Sequence, residues 1–100
     1  MEISTQVRFK SEPAVVRRAI LDYVARRYPR AADYISWDRS GRRAAASKMG
    51  ASASLELLGD GPTTVDISAR IGFPASMAVS ESRLRRYLDE AIRDLKKTTP

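Results

Sequence analysis

The chain has 100 residues, of which 43% are hydrophobic and 30% are charged. This length and composition suit one globular domain with a single core, and they exclude a disordered or fibrous chain. Cysteine and histidine are both absent, which excludes disulfides, thiolate or imidazole metal sites and Ser-His or Cys-His nucleophilic catalysis.

The charge balance is basic. Eighteen lysines and arginines against twelve acidic residues give a formal charge of +6, which attracts nucleic acid, anionic lipid or polyphosphate. The first residues lack the basic start and apolar stretch of a secretory signal, and no apolar run is long enough to span a membrane. We therefore expect a cytoplasmic protein.

The first predicted elements are a strand and a helix. Apolar and polar side chains alternate over residues 2–9, which is typical of a strand with one wet face. Ser11 is expected to cap a helix that has Pro13 in its first turn and ends near Tyr28. The stripe that this helix should bury consists of Val16, Ile20, Tyr23, Val24 and Tyr28.

Two hairpins are predicted in the middle of the chain. Residues 34–37 favour a strand, and the turn-forming residues 38–41 lead into a weak, alanine-rich return strand at 42–47. Met49-Gly50 indicates a bulge or a sharp bend before a strand at 51–57. Residues 59–62 form a strong turn signal, and alternation resumes over 65–71.

A second helix is predicted at the end of the chain. Ser80 or a neighbour should cap it, and its last turn carries cations that suit a helix carboxyl end. Its buried stripe should consist of Leu84, Leu88, Ala91, Ile92 and Leu95.

These elements predict an α+β fold, a two-layer sandwich in which two helices cover an antiparallel sheet of about four strands. The order is β-α-β-β-β-α, or β-α-β-β-α if the alanine run joins the next strand as one bent element. Residues 1–97 should form a single domain, with 98–100 as a frayed tail.

No motif for catalysis, a cofactor or a metal is present. Nucleotide-binding, phosphate-loop, zinc-protease, EF-hand and nucleophile-elbow patterns are all missing from the sequence. The densest acidic group is Asp89, Glu90 and Asp94, and arginines at helical spacing neutralise it. We therefore predict a protein that is not an enzyme, with no catalytic residue, cofactor or metal.

Apolar residues in an expected loop are the first candidates for binding. Residues 72–79 are mostly apolar, so they either dock under the sheet edge or present Phe73, Met77 and Val79 to a partner. Trp37 is expected to be a core residue at the end of a strand. The alternative is an exposed platform on which a nucleic-acid base stacks.

Arginines are the second candidates. They could contact phosphates, or they could form a solvated face that nearby acids neutralise. The candidate anion or nucleic-acid contacts are Arg17, Arg18, Arg26, Arg27, Arg30, Arg42 and Arg43.

One family resemblance involves the second half of the chain. It rests on Ile35-Ser36-Trp37-Asp38, Met49-Gly50, the strands at 52–58 and 66–71, Ile71-Gly72-Phe73 and the closing run at 84–90. In these features the chain resembles the small proteins of the polyhydroxyalkanoic acid system family. The resemblance implies a non-enzymatic protein that acts at a storage-granule surface or on granule-associated proteins.

Three functions therefore stay open. The first is contact with granule polymer or a granule-associated protein, and the second is binding of nucleic acid or another polyanion through the arginines. The third is self-assembly through an open sheet edge, for which the weak strand at 42–47 is the candidate. A homodimer is compatible with each of them.

Overall fold

The computed structural model describes residues 2–72 and 80–100. In chain order the elements are β1 (Glu2–Phe9), α1 (Pro13–Arg27), a short 3-10 helix (Ala31–Tyr34), β2 (Ile35–Trp37), β3 (Arg43–Lys48), β4 (Ala51–Leu58), β5 (Thr63–Ile71) and α2 (Glu81–Thr98). Within these residues the strands form one five-stranded antiparallel sheet in the order β1-β5-β4-β3-β2.

The predicted α+β class is confirmed, and the described part of the chain contains one strand more than the predicted order. The alanine-rich segment forms β3, which is separate from β4. Positive φ angles at Met49 (49°) and Gly50 (85°) place a tight turn between Lys48 and Ala51, where we expected a bulge or bend. This turn explains why the alanine run and the next strand are two elements.

The strand register separates the two faces of the sheet. On the outer face, Ser4, Ser68, Ser54, Ala45 and Ser36 form a row across the sheet, and all five are exposed. The opposite face carries the apolar side chains and the two described helices. In an antiparallel sheet with one covered face, polar side chains face solvent and apolar side chains face the core, as they do here.

The core lies at the end of the sheet where β1 finishes. It joins side chains of both helices to those of β1, β4 and β5, and the largest of these side chains are almost fully buried. Its buried members are Phe9, Val16, Ile20, Tyr23, Leu57, Val65 and Leu95. Trp37 is half-buried and packs against this cluster, so it contributes to the core.

The expected Ser11 cap of α1 was wrong. Glu12 occupies the cap position of α1, and no side chain of the described residues caps its first turn. Ser11 instead donates its hydroxyl hydrogen bond to the carbonyl of Pro100. At the other end of the chain, where a frayed tail was predicted for 98–100, α2 continues through Thr98 and the Thr99 N–H donates to the Leu95 carbonyl at 2.9 Å.

Other terminal features follow the sequence. The predicted Ser80 cap is confirmed, because its hydroxyl oxygen accepts a hydrogen bond from the Arg83 N–H at 3.2 Å. The predicted turn at 38–41 is confirmed by the Gly41 N–H, which donates to the Asp38 carbonyl at 3.0 Å. The Ser40 hydroxyl and then nearby backbone N–H groups hold the pKa of the Asp38 carboxyl below its ordinary value.

Met49 is expected to lower the stability of the protein because of its backbone conformation in the β3–β4 turn. Non-glycine residues other than Asn and Asp are strained at positive φ, and Asn-Gly is the preferred pair in two-residue hairpin turns. We expect Met49→Asn to raise the free energy of unfolding by about 0.5–1 kcal/mol, measured by urea denaturation. A less stable Asn variant would contradict the turn geometry.

The Tyr23 hydroxyl generates a second prediction. Among the described residues it is buried without a hydrogen-bond partner. Burial raises the pKa of Tyr23 above its ordinary value of 10.0, and neighbouring Tyr28 acts in the same direction. We expect Tyr23→Phe to raise the free energy of unfolding by about 0.5–1 kcal/mol at neutral pH, because it removes an unsatisfied polar group.

The same substitution should change the alkaline pH dependence. The unfolded chain releases the Tyr23 proton near pH 10.0, whereas the folded chain releases it at higher pH, so wild-type stability falls as pH rises above that value. Tyr23→Phe should lose less stability over this range in urea titrations. The exposed Tyr87 provides the matched control, and an equal effect of Tyr87→Phe would contradict the prediction.

Candidate functional site: a cleft between the sheet and the helix ends

A row of alanines forms the floor of an open cleft on the helix-facing side of the sheet. Cross-strand pairing places Ala69, Ala53 and Ala46 side by side on β5, β4 and β3, with Ile3 and Ile35 completing the row on the edge strands. Ala53 is exposed although it lies on this face. The helices therefore do not fill the space above the alanines.

The walls of the cleft come from four elements and are mainly apolar. Tyr28 and Pro29 follow the end of α1, Ile35 belongs to β2, Ile71 ends β5 and Leu84 lies in the first turn of α2. The cleft volume is about 710 Å³, which is within the range of small-molecule sites.

Three cationic side chains line this apolar cleft. Arg27, Arg30 and Lys48 line the cleft, and none of the described residues that line it is acidic. Arg27 and Arg30 are exposed and form no ion pair with the described residues. The Lys48 ammonium lies 4.4 Å from the centroid of the Tyr34 ring, so its position is partly set by a cation–π contact.

Large apolar side chains are exposed at the mouth of the cleft. Tyr28 is 40% exposed and Tyr34 is 46% exposed, and both line the cleft. Met49 is 69% exposed in the adjoining β3–β4 turn. We call Tyr28, Tyr34 and Met49 the apolar rim. Exposed apolar groups that cluster in this way are typical of contact surfaces.

The apolar candidates from the sequence, Phe73, Met77 and Val79, lie outside the described residues. Their described neighbours Ile71 and Leu84 both line the cleft. The cleft itself was not predicted, because it depends on which alanines the strand register brings together. The available signal was the alanine content of two segments that otherwise favour strands.

The structure divides the candidate arginines among several places. Arg27 and Arg30 lie at the cleft, whereas Arg18 and Arg26 line a shallow groove beside the chain end. Arg26 donates through Nε to the Asp22 backbone carbonyl at 3.3 Å. Arg17 approaches Gly41 in the β2–β3 turn.

Arg42 and Arg43 already contact acidic groups. Arg42 donates to the Gly59 carbonyl at 2.9 Å and lies 3.6 Å from the Asp60 carboxylate, and Arg43 lies 3.1 Å from the Glu56 carboxylate. The seven candidate arginines therefore have different surroundings: the cleft, the groove beside the chain end, the β2–β3 turn and acidic neighbours.

Two features are absent from residues 2–72 and 80–100. No group of three acidic side chains there is placed to hold a metal ion. No described helix combines the length and the apolar character needed to cross a membrane.

The sequence matches no family model and no curated protein. Among solved structures, an uncharacterized protein from Bacillus thuringiensis is similar in fold, with a TM-score of 0.52, 10% sequence identity and 97% of each chain covered. A protein from Thermus thermophilus gives a TM-score of 0.42 at 14% identity, covering 97% of this chain and 92% of that one. A START superfamily protein from Mycobacterium smegmatis gives 0.44 at 12% identity, with 96% and 92% covered. The likeness to the Bacillus protein extends over the whole chain and is a likeness of fold alone.

Proposed function

We propose that this protein binds a small amphipathic ligand in the cleft, with an apolar body on the alanine floor and an anionic group at the cationic rim formed by Arg27, Arg30 and Lys48. The proposal rests on an apolar cleft that the described residues leave open, with three cations and no acidic side chain among its described lining residues. An apolar cleft with a few convergent charged groups is the usual form of a small-molecule site.

The cleft floor can accommodate the ligand's apolar body. Ala46, Ala53 and Ala69 end at Cβ, so an acyl chain can lie along the row without displacing side chains of the described residues. Ile35, Ile71 and Leu84 line the same space and offer apolar contact on its sides. Removing this apolar surface from water is the driving force for binding.

The three cations at the cleft can attract the ligand's anionic group. An arginine guanidinium pairs with a carboxylate through two parallel hydrogen bonds, and Arg27 and Arg30 have no ion-pair partner among the described residues. Lys48 adds a third positive charge from a different element. A ligand carboxylate at this rim would be attracted from several directions.

The resemblance to the polyhydroxyalkanoic acid system family supports one ligand of this chemistry, a hydroxy fatty acid. Such an acid has an apolar chain and a carboxylate, as the cleft requires. We therefore choose 3-hydroxydecanoate as the probe, with decanoate and decanol as comparisons that lack the hydroxyl or the charge.

Calorimetric titration with these three compounds tests the floor of the cleft. Ala53→Leu places a larger side chain in the cleft and should weaken 3-hydroxydecanoate binding by about tenfold or more. Ala45→Leu, on the outer face of neighbouring β3, is the matched control and should bind as the wild type does. Equal binding by wild type and Ala53→Leu would place the ligand elsewhere.

The cationic rim has its own test. The double substitution Arg27→Gln and Arg30→Gln should weaken binding of both carboxylates by about tenfold and leave decanol binding unchanged, because only the carboxylates carry the charge. Arg18→Gln, on the same helix but outside the cleft, is the control. No binding of any of the three compounds would overturn the proposal.

A second candidate is attachment to storage-granule polymer, and the apolar rim is the observation that favours it. Tyr28 and Tyr34 are exposed at the cleft, and Met49 is exposed in the turn that follows Lys48. An apolar rim beside Arg30 and Lys48 can contact an apolar surface while its cations stay in water. The proposed granule role thus has a defined surface within the described residues.

Sedimentation with amorphous polyhydroxybutyrate granules tests this second candidate. Pelleting should survive high salt, and the double substitution Met49→Asn and Tyr34→Ser should reduce the bound fraction by about half or more, because apolar contact area is lost. Leu21→Ser is the control, since Leu21 is 45% exposed but does not line the cleft. Equal losses in both variants would contradict a role for the apolar rim.

Duplex DNA titrated at two salt concentrations in parallel tests the polyanion hypothesis. Salt-sensitive DNA binding without pelleting would favour that hypothesis instead.

A further inference from the structure

The long free edge of the sheet belongs to β1. All eight residues, Glu2–Phe9, pair with β5 in one continuous register, and β1 stands at the end of the strand order. Its other side pairs with no described strand. The alanine-rich β3, which we expected at the edge, lies between β2 and β4, so the interpretation of β3 as an open edge is corrected.

Apart from the charges of Glu2 and Arg8 near its ends, nothing in the composition of β1 protects this edge. Proline, lysine, bulges and short strands are the usual devices that prevent edge pairing. Residues 2–9 contain neither proline nor lysine, and their pairing with β5 is unbroken. The opposite edge is different, because β2 has only three residues, Ile35–Trp37.

The β1 sequence is complementary to itself in one antiparallel register. When Thr5 lies opposite Thr5 of a second copy, Ser4 lies opposite Gln6 and Ile3 lies opposite Val7. Glu2 then lies opposite Arg8 at both ends of the pair. The polar and apolar residues fall on the same faces in both copies, because strand side chains alternate with a period of two.

The charged residues at the ends of β1 are available for this pairing. Arg8 is exposed and forms no ion pair with the described residues. Glu2 contacts Arg70 at 3.0 Å through Oε1, and both Arg70 hydrogen bonds to Glu2 use that oxygen. The Oε2 atom of Glu2 can therefore accept a hydrogen bond from Arg8 of a second copy.

We propose that two copies of this chain associate through antiparallel pairing of β1 with β1 about a two-fold axis at Thr5, forming one continuous ten-stranded sheet. The partner is a second copy because opposite charges meet at both ends and Ile3 meets Val7 on the helix-facing side. Other registers of the same strand bring Glu2 and Arg8 out of alignment.

This interface meets the alanine row only at Ile3, and none of the described residues that line the cleft belongs to β1. The alanine floor lies on β3, β4 and β5, and the cations at the cleft come from α1, the loop after it and β3. The dimer and the ligand site can therefore fail independently when each is tested.

Charge reversal at the two ends of β1 tests the proposal in sedimentation velocity experiments over a range of protein concentrations. Arg8→Glu places like charges opposite each other at both ends and should raise the dimer dissociation constant about tenfold. Glu2→Arg should act in the same direction. Arg85→Glu, which changes an exposed arginine on α2, is the matched control and should leave the constant unchanged.

A mixture of the two variants provides the sharper test. Arg8→Glu pairs two carboxylates with two arginines of the Glu2→Arg chain, so the mixed pair should dimerise although each variant alone is weakened. A wild-type chain that stays monomeric at all concentrations would overturn the proposal. A dimer that responds equally to Arg8→Glu and Arg85→Glu, or a mixture that fails to recover, would overturn it too.

Discussion

The volume of the side chains on the helix-facing side of the sheet determines how the helices can pack. One cross-strand row carries Ile67, Leu55 and Trp37, whereas the next row carries Ala69 and Ala53. Helices packed closely on the larger side chains leave a gap over the alanines, because an alanine reaches no further than Cβ. The cleft is therefore a consequence of the sheet register, and α1 and α2 form its walls without closing over it.

A cation can occur at the cleft for a local structural reason that has nothing to do with ligand binding. Arg27 lies in the last turn of α1, where the helix dipole favours a positive charge whatever the function. That argument does not extend to Arg30, which follows the helix, or to Lys48, which comes from β3. Convergence of three cations from different elements on one apolar surface is what favours an anionic ligand.

Alternation and turn chemistry were sufficient to predict much of the fold. The outlines of β1, β4, β5 and the two helices follow from residue periodicity, and Ser80 caps α2 as its side chain favours. The Ser11 cap failed because its hydroxyl bonds to Pro100, a contact across 89 positions that local sequence cannot show. The cleft was missed for the same reason, since the alanines of β3, β4 and β5 become neighbours only through cross-strand pairing.

An unfilled apolar cleft has an energetic consequence for so small a domain. Apolar surface that the helices leave exposed contributes nothing to folding, and 100 residues can bury only a modest core. A ligand that occupies the cleft in the folded chain alone would add free energy of unfolding, about 2.7 kcal/mol at a concentration one hundred times its dissociation constant. If the proposed ligand binds, occupancy of the cleft would be linked to stability through the alanine floor, and the proposed β1 pairing would link stability to protein concentration.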